Sequence, residues 1–167
     1  MVAAIVLAAG EATRYGRPKQ RELLPAVLAA LERSPVDEVV VVSGAHALEP
    51  DERARFVHAP EWDRGPGASL RRGLAALDDR VEHALVVLAD GPELDPRAVE
   101  RIVDHRSDGP VVAASYDGNR SHPVSLARAV WASIPDDGAR ALEPLLVDCS
   151  DLRPPGDVDY PTETPLS

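Results

Sequence analysis

Lys19, the only lysine among these 167 residues, lies in a glycine-containing loop that follows an apolar run. The same loop runs from Gly10 to Lys19 and also carries Arg14, Gly16 and Arg17. A lysine ammonium is a compact charge suited to a phosphate oxygen, whereas the guanidinium of arginine is a planar fork. With backbone N–H groups around the glycines, the loop predicts a site for a di- or triphosphate. The alternative is an ordinary strand-to-helix turn with solvated arginines.

The spacing within this loop differs from two common nucleotide-binding loops. Lys19 follows Gly16 by three residues, and Gln20 stands where a P-loop has a hydroxyl. The pattern Gly-x-Gly-x-x-Gly is missing as well, so the loop gives little support to dinucleotide binding.

A carboxylate closes a second apolar run, because Asp90 follows residues 84–89 and precedes a Gly-Pro turn. A divalent cation that bridges phosphates needs one or two protein carboxylates. Asp90 is therefore a candidate metal ligand, with the capping of a turn as the alternative. Asp157 and Asp159 are candidates for a second carboxylate.

Two further segments combine polar residues with turn signals. The Gly-Pro-Gly at residues 65–67 interrupts regular structure, and Ser69 is predicted to cap the following helix, where it could also contact a nucleotide. Residues 119–123 predict a polar loop in which His122 is a candidate base or hydrogen-bonding group. A histidine in a loop more often has neither role. The other histidines lack metal-ligand spacing, so a zinc site is not expected.

Apolar runs alternate with amphipathic segments along the chain. The predicted strands are residues 3–8, 36–44, 56–58, 84–89 and 109–116. The predicted helices are residues 22–33, 69–77, 96–105, 125–134 (interrupted) and 137–146, the third with Asp95 as N-cap and Pro96 as its first residue. Strands that are apolar throughout indicate an α/β fold with a parallel sheet covered on both faces. Ligands bind outside the carboxyl ends of such strands.

Composition narrows the class of protein. The length favours one domain over residues 1–167, and the net charge of −10 disfavours nucleic acid as a partner. The single cysteine, Cys149, predicts a reducing cytoplasm and a buried, unreactive thiol. No apolar run approaches the length needed to cross a membrane, so no membrane partner is expected.

Taken in order, these segments resemble the MobA-like nucleotidyltransferases of molybdenum-cofactor biosynthesis, and most closely the molybdopterin cytidylyltransferases. The matching residues are Leu7 to Gly10, Arg14, Gly16, Lys19, Trp62, Gly65, Ser69, Leu70, Gly73, Leu74, Leu88 to Asp90, Pro92, Arg120, His122 to Val124, Asp137 to Arg140, and Val158 to Pro161. The likeness therefore spans almost the whole chain.

The resemblance implies a three-layer, Rossmann-like domain that binds a nucleoside triphosphate and Mg²⁺. A phosphate of the acceptor attacks the α-phosphorus, and pyrophosphate leaves. The implied catalytic residues are Arg14, Lys19 and Asp90, and the implied metal ligands are Asp90 and Asp159. The implied nucleotide contacts are Leu7, Ala8, Ala9, Gly10, Arg14, Lys19 and Ser69, and the implied acceptor contacts are Arg120, His122 and Pro123.

The resemblance also implies the ligands. The Ala-Ala-Gly of residues 8–10 favours CTP over GTP, and the acceptor is a phosphorylated small molecule such as molybdopterin. A molybdoenzyme or a chaperone is an implied protein partner.

The chain departs from the family pattern at several points. The passage between Lys19 and Val27 is shorter than in the family, Tyr15, Gly91 and Ser121 replace other residues, and the helix expected after the Val158–Pro161 block is absent. These departures keep open a catalytically degenerate member that binds a nucleotide or a protein partner. A transferase acting on a sugar phosphate or on phospholactate is the third hypothesis.

Overall fold

The computed structural model describes residues 1–10, 13–14 and 17–156. For residues 13–14 and 17–20 it describes the backbone alone. The strands are β1 (Val2–Ala8), β2 (Thr13–Arg14), β3 (Arg17–Pro18), β4 (Glu38–Ser43), β5 (Arg55–His58), β6 (His83–Leu88), β7 (Val111–Tyr116), β8 (Asn119–Ala127) and β9 (Leu145–Asp148). The α-helices are α1 (Lys19–Glu32), α2 (Pro66–Ala75) and α3 (Pro96–Asp104). Short 3₁₀ helices cover Trp62–Arg64, Arg106–Asp108, Arg128–Ser133 and Ala139–Ala141.

Seven of the described strands form one mostly parallel sheet in the order β5-β4-β1-β6-β8-β7-β9. β1 pairs in parallel with β4 and β6, and β5 pairs in parallel with β4. β8 runs antiparallel to both β6 and β7, while β9 is parallel to β7. β2 and β3 pair with each other as a separate antiparallel ladder.

Hydrophobic cores cover both faces of this sheet. Ala3 and Ile5 of β1 pack in the core that contains α2, whereas Ala4 and Val6 pack in the core that contains α1 and α3. Both sets of side chains are buried, which explains why β1 is apolar at every position. The predicted three-layer α/β/α fold is thereby confirmed.

Two local predictions, the start of α3 and the burial of Cys149, are also confirmed. The Asp95 side chain accepts a hydrogen bond from the Arg97 N–H at 2.8 Å, and Pro96 opens α3. Cys149 is fully buried, and burial raises the pKa of its thiol. In the part of the chain that the structure describes, no helix is long and apolar enough to span a membrane.

The helix predicted for residues 125–134 is wrong. Residues 119–127 form β8, which also replaces the polar loop predicted for residues 119–123, and a 3₁₀ helix follows. The strand was not predicted because it contains Pro123. A proline cannot donate a hydrogen bond to a neighbouring strand, so its presence disfavours a central strand.

The helix predicted for residues 137–146 is wrong as well. Gly138 has a φ of 92°, and Pro144 disfavours helical backbone at the residue before it. The segment instead contains one 3₁₀ helix and then β9, whose Val147 packs against the core.

Ser69 does not cap α2 as predicted. The helix starts earlier, with Gly65 as N-cap and Pro66 at its first turn, where the missing N–H of proline costs nothing. Ser69 therefore lies inside the helix, buried at 2% exposure.

Candidate active site

The carboxyl ends of β1, β4 and β6 meet at one edge of the sheet. The Ala89 N–H donates to the Leu7 carbonyl at 3.0 Å, which holds the turn after β6 beside the end of β1. The Ala45 N–H donates to the Ala9 carbonyl at 3.0 Å, which does the same for the turn after β4. β4 and β6 flank β1 on opposite sides, and ligands bind in the crevice at such a change of strand order.

A pocket of about 440 Å³ opens at this edge, and we name it the β1–α2 pocket. Its lining consists of Leu7, Ala9, Gly10, Trp62, Asp63, Gly65, Pro66, Ser69, Leu88 and Asp90. It brings together most of the predicted nucleotide contacts with the predicted metal ligand Asp90. The side chain of Ala8 packs in the core with α1 and α3, so only the backbone of this residue is available to a ligand.

Trp62 forms one side of the β1–α2 pocket and packs closely against Gly44. A Cβ at Gly44 would lie 2.6 Å from the Trp62 Cβ and 2.7 Å from the Ala9 carbonyl oxygen, so glycine is required there. An indole ring offers a base a stacking surface, and the nearby carboxylate of Asp63 is an oxygen ligand for a cation. Trp62 matched the family pattern without an assigned role and Asp63 was not predicted, although both lie within three residues of the Gly-Pro-Gly turn.

The segment of residues 134–138 packs against the first turns of α2. The Gly67 N–H donates to the Asp136 carbonyl at 2.8 Å. Arg71 donates to the Ile134 carbonyl at 2.7 Å and to the Asp136 carboxylate at 2.6 Å. Hydrogen bonding to Arg71 lowers the pKa of the Asp136 carboxyl. These contacts fix residues 134–138 relative to the pocket.

A second pocket of about 440 Å³ lies beside the first, and we name it the β8 pocket. Its lining consists of Val87, Leu88, Gly91, Leu94, Arg120, Ser121, His122, Val124, Ala139, Arg140, Pro154, Pro155 and Gly156. Leu88 lines both pockets, while the consecutive residues Asp90 and Gly91 line one each. Two ligands bound side by side would therefore meet near the turn after β6.

An irregularity in the sheet brings His122 to the β8 pocket. The β7–β8 ladder shifts register between Ala113 and Ser115, and residues 121–123 of β8 have no partner in this described ladder. Such bulges redirect side chains and are common beside active sites. Pro123, which has no N–H to donate, suits this position; it is buried and does not line the pocket.

His122 is uncharged near neutral pH. Loss of solvent around the imidazole, helped by the nearby charge of Arg120 and opposed by the carboxylate of Asp90, lowers the pKa of His122 to about 4. The influence of Asp90 also indicates that His122 faces the turn after β6. A neutral imidazole offers a ligand one hydrogen-bond donor and one acceptor, rather than a positive charge.

The depressed pKa of His122 predicts a loss of stability in acid. The unfolded chain protonates this histidine below about pH 6.5, whereas the folded protein does so only below about pH 4. The unfolded state binds more protons between these values, so the free energy of unfolding falls as the pH is lowered through this window. We expect His122→Gln to remove up to about 3 kcal/mol of this pH dependence, measured by urea unfolding at pH 7 and pH 4.5. Equal pH dependence in the two proteins would contradict the assignment.

Arg120 holds backbone carbonyls at the edge of the β8 pocket. Its guanidinium donates to the Leu142 carbonyl at 2.7 Å and to the Ala139 carbonyl at 2.8 Å. A longer hydrogen bond of 3.4 Å reaches the Arg140 carbonyl. The residue lines the predicted acceptor pocket, but these observed hydrogen bonds are to the protein itself.

Three predicted site residues have side chains outside the described part of the chain. The backbone of Arg14 lies in β2, and that of Lys19 forms the first residue of α1. Asp159 lies outside the described residues altogether. Their roles stay predictions.

Asp90 has the chemistry that a hard divalent cation requires. It is half-buried and lines the same pocket as Asp63. Mg²⁺ keeps several waters and takes one or two protein carboxylates beside substrate phosphates, so these residues fit such an ion. Among the described residues, no group of three or more His, Cys, Asp or Glu side chains could hold a metal without such a substrate.

Comparison with known proteins identifies the family. The sequence profile of the MobA-like NTP transferase domain matches residues 4–146, which contain both pockets except for residues 154–156. The chain belongs to this family. The resemblance noted from the sequence is thereby confirmed, and the chain is a member of a nucleotidyltransferase family.

One curated relative and two solved structures illustrate what the chain is similar to. The chain is 30% identical over 166 residues to a probable molybdenum cofactor guanylyltransferase of Mycobacterium avium, covering 91% of this chain and 83% of the relative. The crystal structure of Rv0371c from Mycobacterium tuberculosis superposes with a TM-score of 0.78 at 26% identity, covering 95% and 93% of the two chains. A manganese complex of Rv0371c superposes with a TM-score of 0.74 at 21% identity, covering 98% and 92%. The predicted preference for cytidine is not confirmed, because the curated relative is described as a guanylyltransferase.

Proposed function

We propose that this chain is a Mg²⁺-dependent nucleotidyltransferase that acts on molybdopterin or a related phosphorylated acceptor. An oxygen of the acceptor phosphate attacks the α-phosphorus of a nucleoside triphosphate, a new phosphoanhydride bond forms, and the bond to the leaving pyrophosphate breaks. The position of Asp90 at the boundary of two adjoining pockets carries this proposal. One pocket suits the donor, the other suits the acceptor, and the reacting groups would meet beside a carboxylate.

Each group of residues has a distinct task in this proposal. The backbone of residues 7–10 and the first turn of α2 bind the nucleotide, and Arg14 and Lys19 neutralise its triphosphate. Asp90, together with Asp159, holds the metal ion, which supplies charge stabilisation to the phosphates. Neutral His122 orients the acceptor by a hydrogen bond. Positioning and electrostatic stabilisation therefore account for most of the expected rate enhancement.

The base of the donor is the finer point of the proposal. Residues 8–10 favour cytidine through the family resemblance, whereas the names of the curated relatives favour guanosine. The manganese complex of Rv0371c supports a divalent metal as the cofactor in this fold. The names of two relatives that match 91% of this chain outweigh three residues of the family pattern, and we propose GTP as the donor.

Nucleotide binding is tested by thermal unfolding with GTP, CTP, ATP and UTP, each with and without Mg²⁺. A ligand that binds only the folded state raises stability by about 2.7 kcal/mol at a hundredfold excess over its Kd. We expect GTP to give the largest Mg²⁺-dependent rise in Tm. A larger rise with CTP would assign the cytidine branch instead, and no rise with any nucleotide would favour a degenerate member of the family.

A further inference from the structure

The β8 pocket contains little positive charge that is free to meet an anion. Its charged lining residues are Arg120 and Arg140, and His122 is neutral near pH 7. The guanidinium of Arg120 already donates to carbonyls on either side of Arg140. The protein as a whole carries a net charge of −10, which repels an anionic acceptor unless a local cation offsets it.

Arg140 differs from Arg120 in both its side chain and its backbone. Its side chain is exposed at the pocket and forms no hydrogen bond or ion pair with any other described residue. Its backbone is fixed, because its carbonyl accepts from Arg120 and the next N–H, that of Ala141, donates to the Gly138 carbonyl at 3.1 Å. Arg140 therefore presents a guanidinium from a fixed point of the pocket edge.

We infer that Arg140 binds the phosphate of the acceptor and that Arg120 is a positioning residue, which acts by holding residues 139–142. The ligand class is a phosphate monoester, which an arginine fork binds with two parallel hydrogen bonds. This inference rests on the proposed function, in which that phosphate is the nucleophile. The sequence predicted that Arg120 contacts the acceptor. In this inference Arg140 makes that contact, and Arg120 holds the backbone that carries Arg140.

Inorganic phosphate is the probe that tests Arg140 without requiring turnover. Backbone amide signals of residues 138–141 and the His122 ring are followed by NMR during a phosphate titration. A non-hydrolysable GTP analogue and Mg²⁺ are present to occupy the donor site. We expect these signals to shift in the wild type, with a Kd that rises at least about tenfold in Arg140→Ala. Arg140→Lys should recover part of the affinity.

Arg72→Ala is the matched control, because Arg72 is exposed on α2, lines neither pocket and carries the same charge. Its phosphate Kd should stay within about twofold of the wild type, since solvent screens an exposed charge that does not contact the bound anion. An equal Kd in Arg140→Ala and the wild type would overturn the inference. So would the lack of any shift at residues 138–141 in the wild type.

Steady-state kinetics separate the two arginines and also separate this inference from the proposed function. Arg140→Ala should raise the KM for molybdopterin and leave the KM for GTP unchanged. Arg120→Ala should raise this KM and also lower kcat, because residues 139–142 lose the hydrogen bonds that hold them in place. Failure of the wild type to release pyrophosphate would refute the proposed function while leaving the phosphate titration valid.

Discussion

Replacement of Asp90 by Asn is expected to lower nucleotidyl transfer at least about a hundredfold. Asn keeps the shape of the side chain but removes the negative charge that attracts a divalent cation. Asp90 lines the β1–α2 pocket, and its backbone is followed directly by Gly91 of the β8 pocket. The lost activity should therefore be the part that depends on the metal ion. Pyrophosphate release measured across a range of Mg²⁺ concentrations would show it as reduced kcat and weaker Mg²⁺ dependence.

Asp79→Asn is the control for this change, because Asp79 is exposed and lines neither pocket. It should retain the activity of the wild type. The Tm of both variants is measured to separate loss of activity from loss of fold. Full turnover by a folded Asp90→Asn protein would show that Asp90 does not hold the metal.

Replacement of Gly67 by Ala is expected to destabilise the fold by about 2–4 kcal/mol. A Cβ at Gly67 would overlap the carbonyl oxygen of Pro135, and it would lie 2.8 Å from the carbonyl carbon of Asp136, whose oxygen accepts the hydrogen bond from the Gly67 N–H. Arg71 holds the same segment in place, so the backbone has little room to move. Alanine gains about 1 kcal/mol of helix propensity, which is less than the cost of this overlap.

Gly109→Ala serves as the control for Gly67→Ala. A Cβ there would meet its nearest neighbour at 3.6 Å, and the φ of −170° is extended backbone open to any residue. We expect a neutral or slightly stabilising effect, because alanine restricts the unfolded chain. Urea unfolding measures both variants, and equal stability of the two would contradict the close packing of α2 against residues 134–138.

The sequence was sufficient to predict the sheet because its strands are buried on both faces. Strands such as β1 and β6, which are apolar on both faces, are typical of a parallel sheet covered by helices on both sides. Ligands bind at the carboxyl ends of such strands, and this rule predicts where the site lies. Asp90 was predicted for this reason, and it lies in a pocket as expected. Local rules also sufficed at α3, where Asp95 and Pro96 determine the start of the helix.

The parts that sequence analysis missed depend on contacts between distant segments. β8 contains Pro123 and an irregular ladder, so its strand character comes from its place between β6 and β7 rather than from local propensity. The contact of Gly44 with Trp62 is visible only once β4 and β5 are paired, because each residue follows one of these two strands. The hydrogen bonds of Arg120 to the carbonyls of residues 139–142 are invisible in a sequence for the same reason.

Transfer of a label from the α-phosphorus of GTP to molybdopterin tests the central claim most directly. The reaction is run with the whole chain and Mg²⁺, and both the labelled product and pyrophosphate are quantified. We predict equal amounts of the two, formed only when the acceptor and the metal ion are present. Tight, Mg²⁺-dependent binding of nucleotide without labelled product or pyrophosphate, for GTP and CTP alike, would contradict the account and identify a nucleotide-binding protein that does not catalyse transfer.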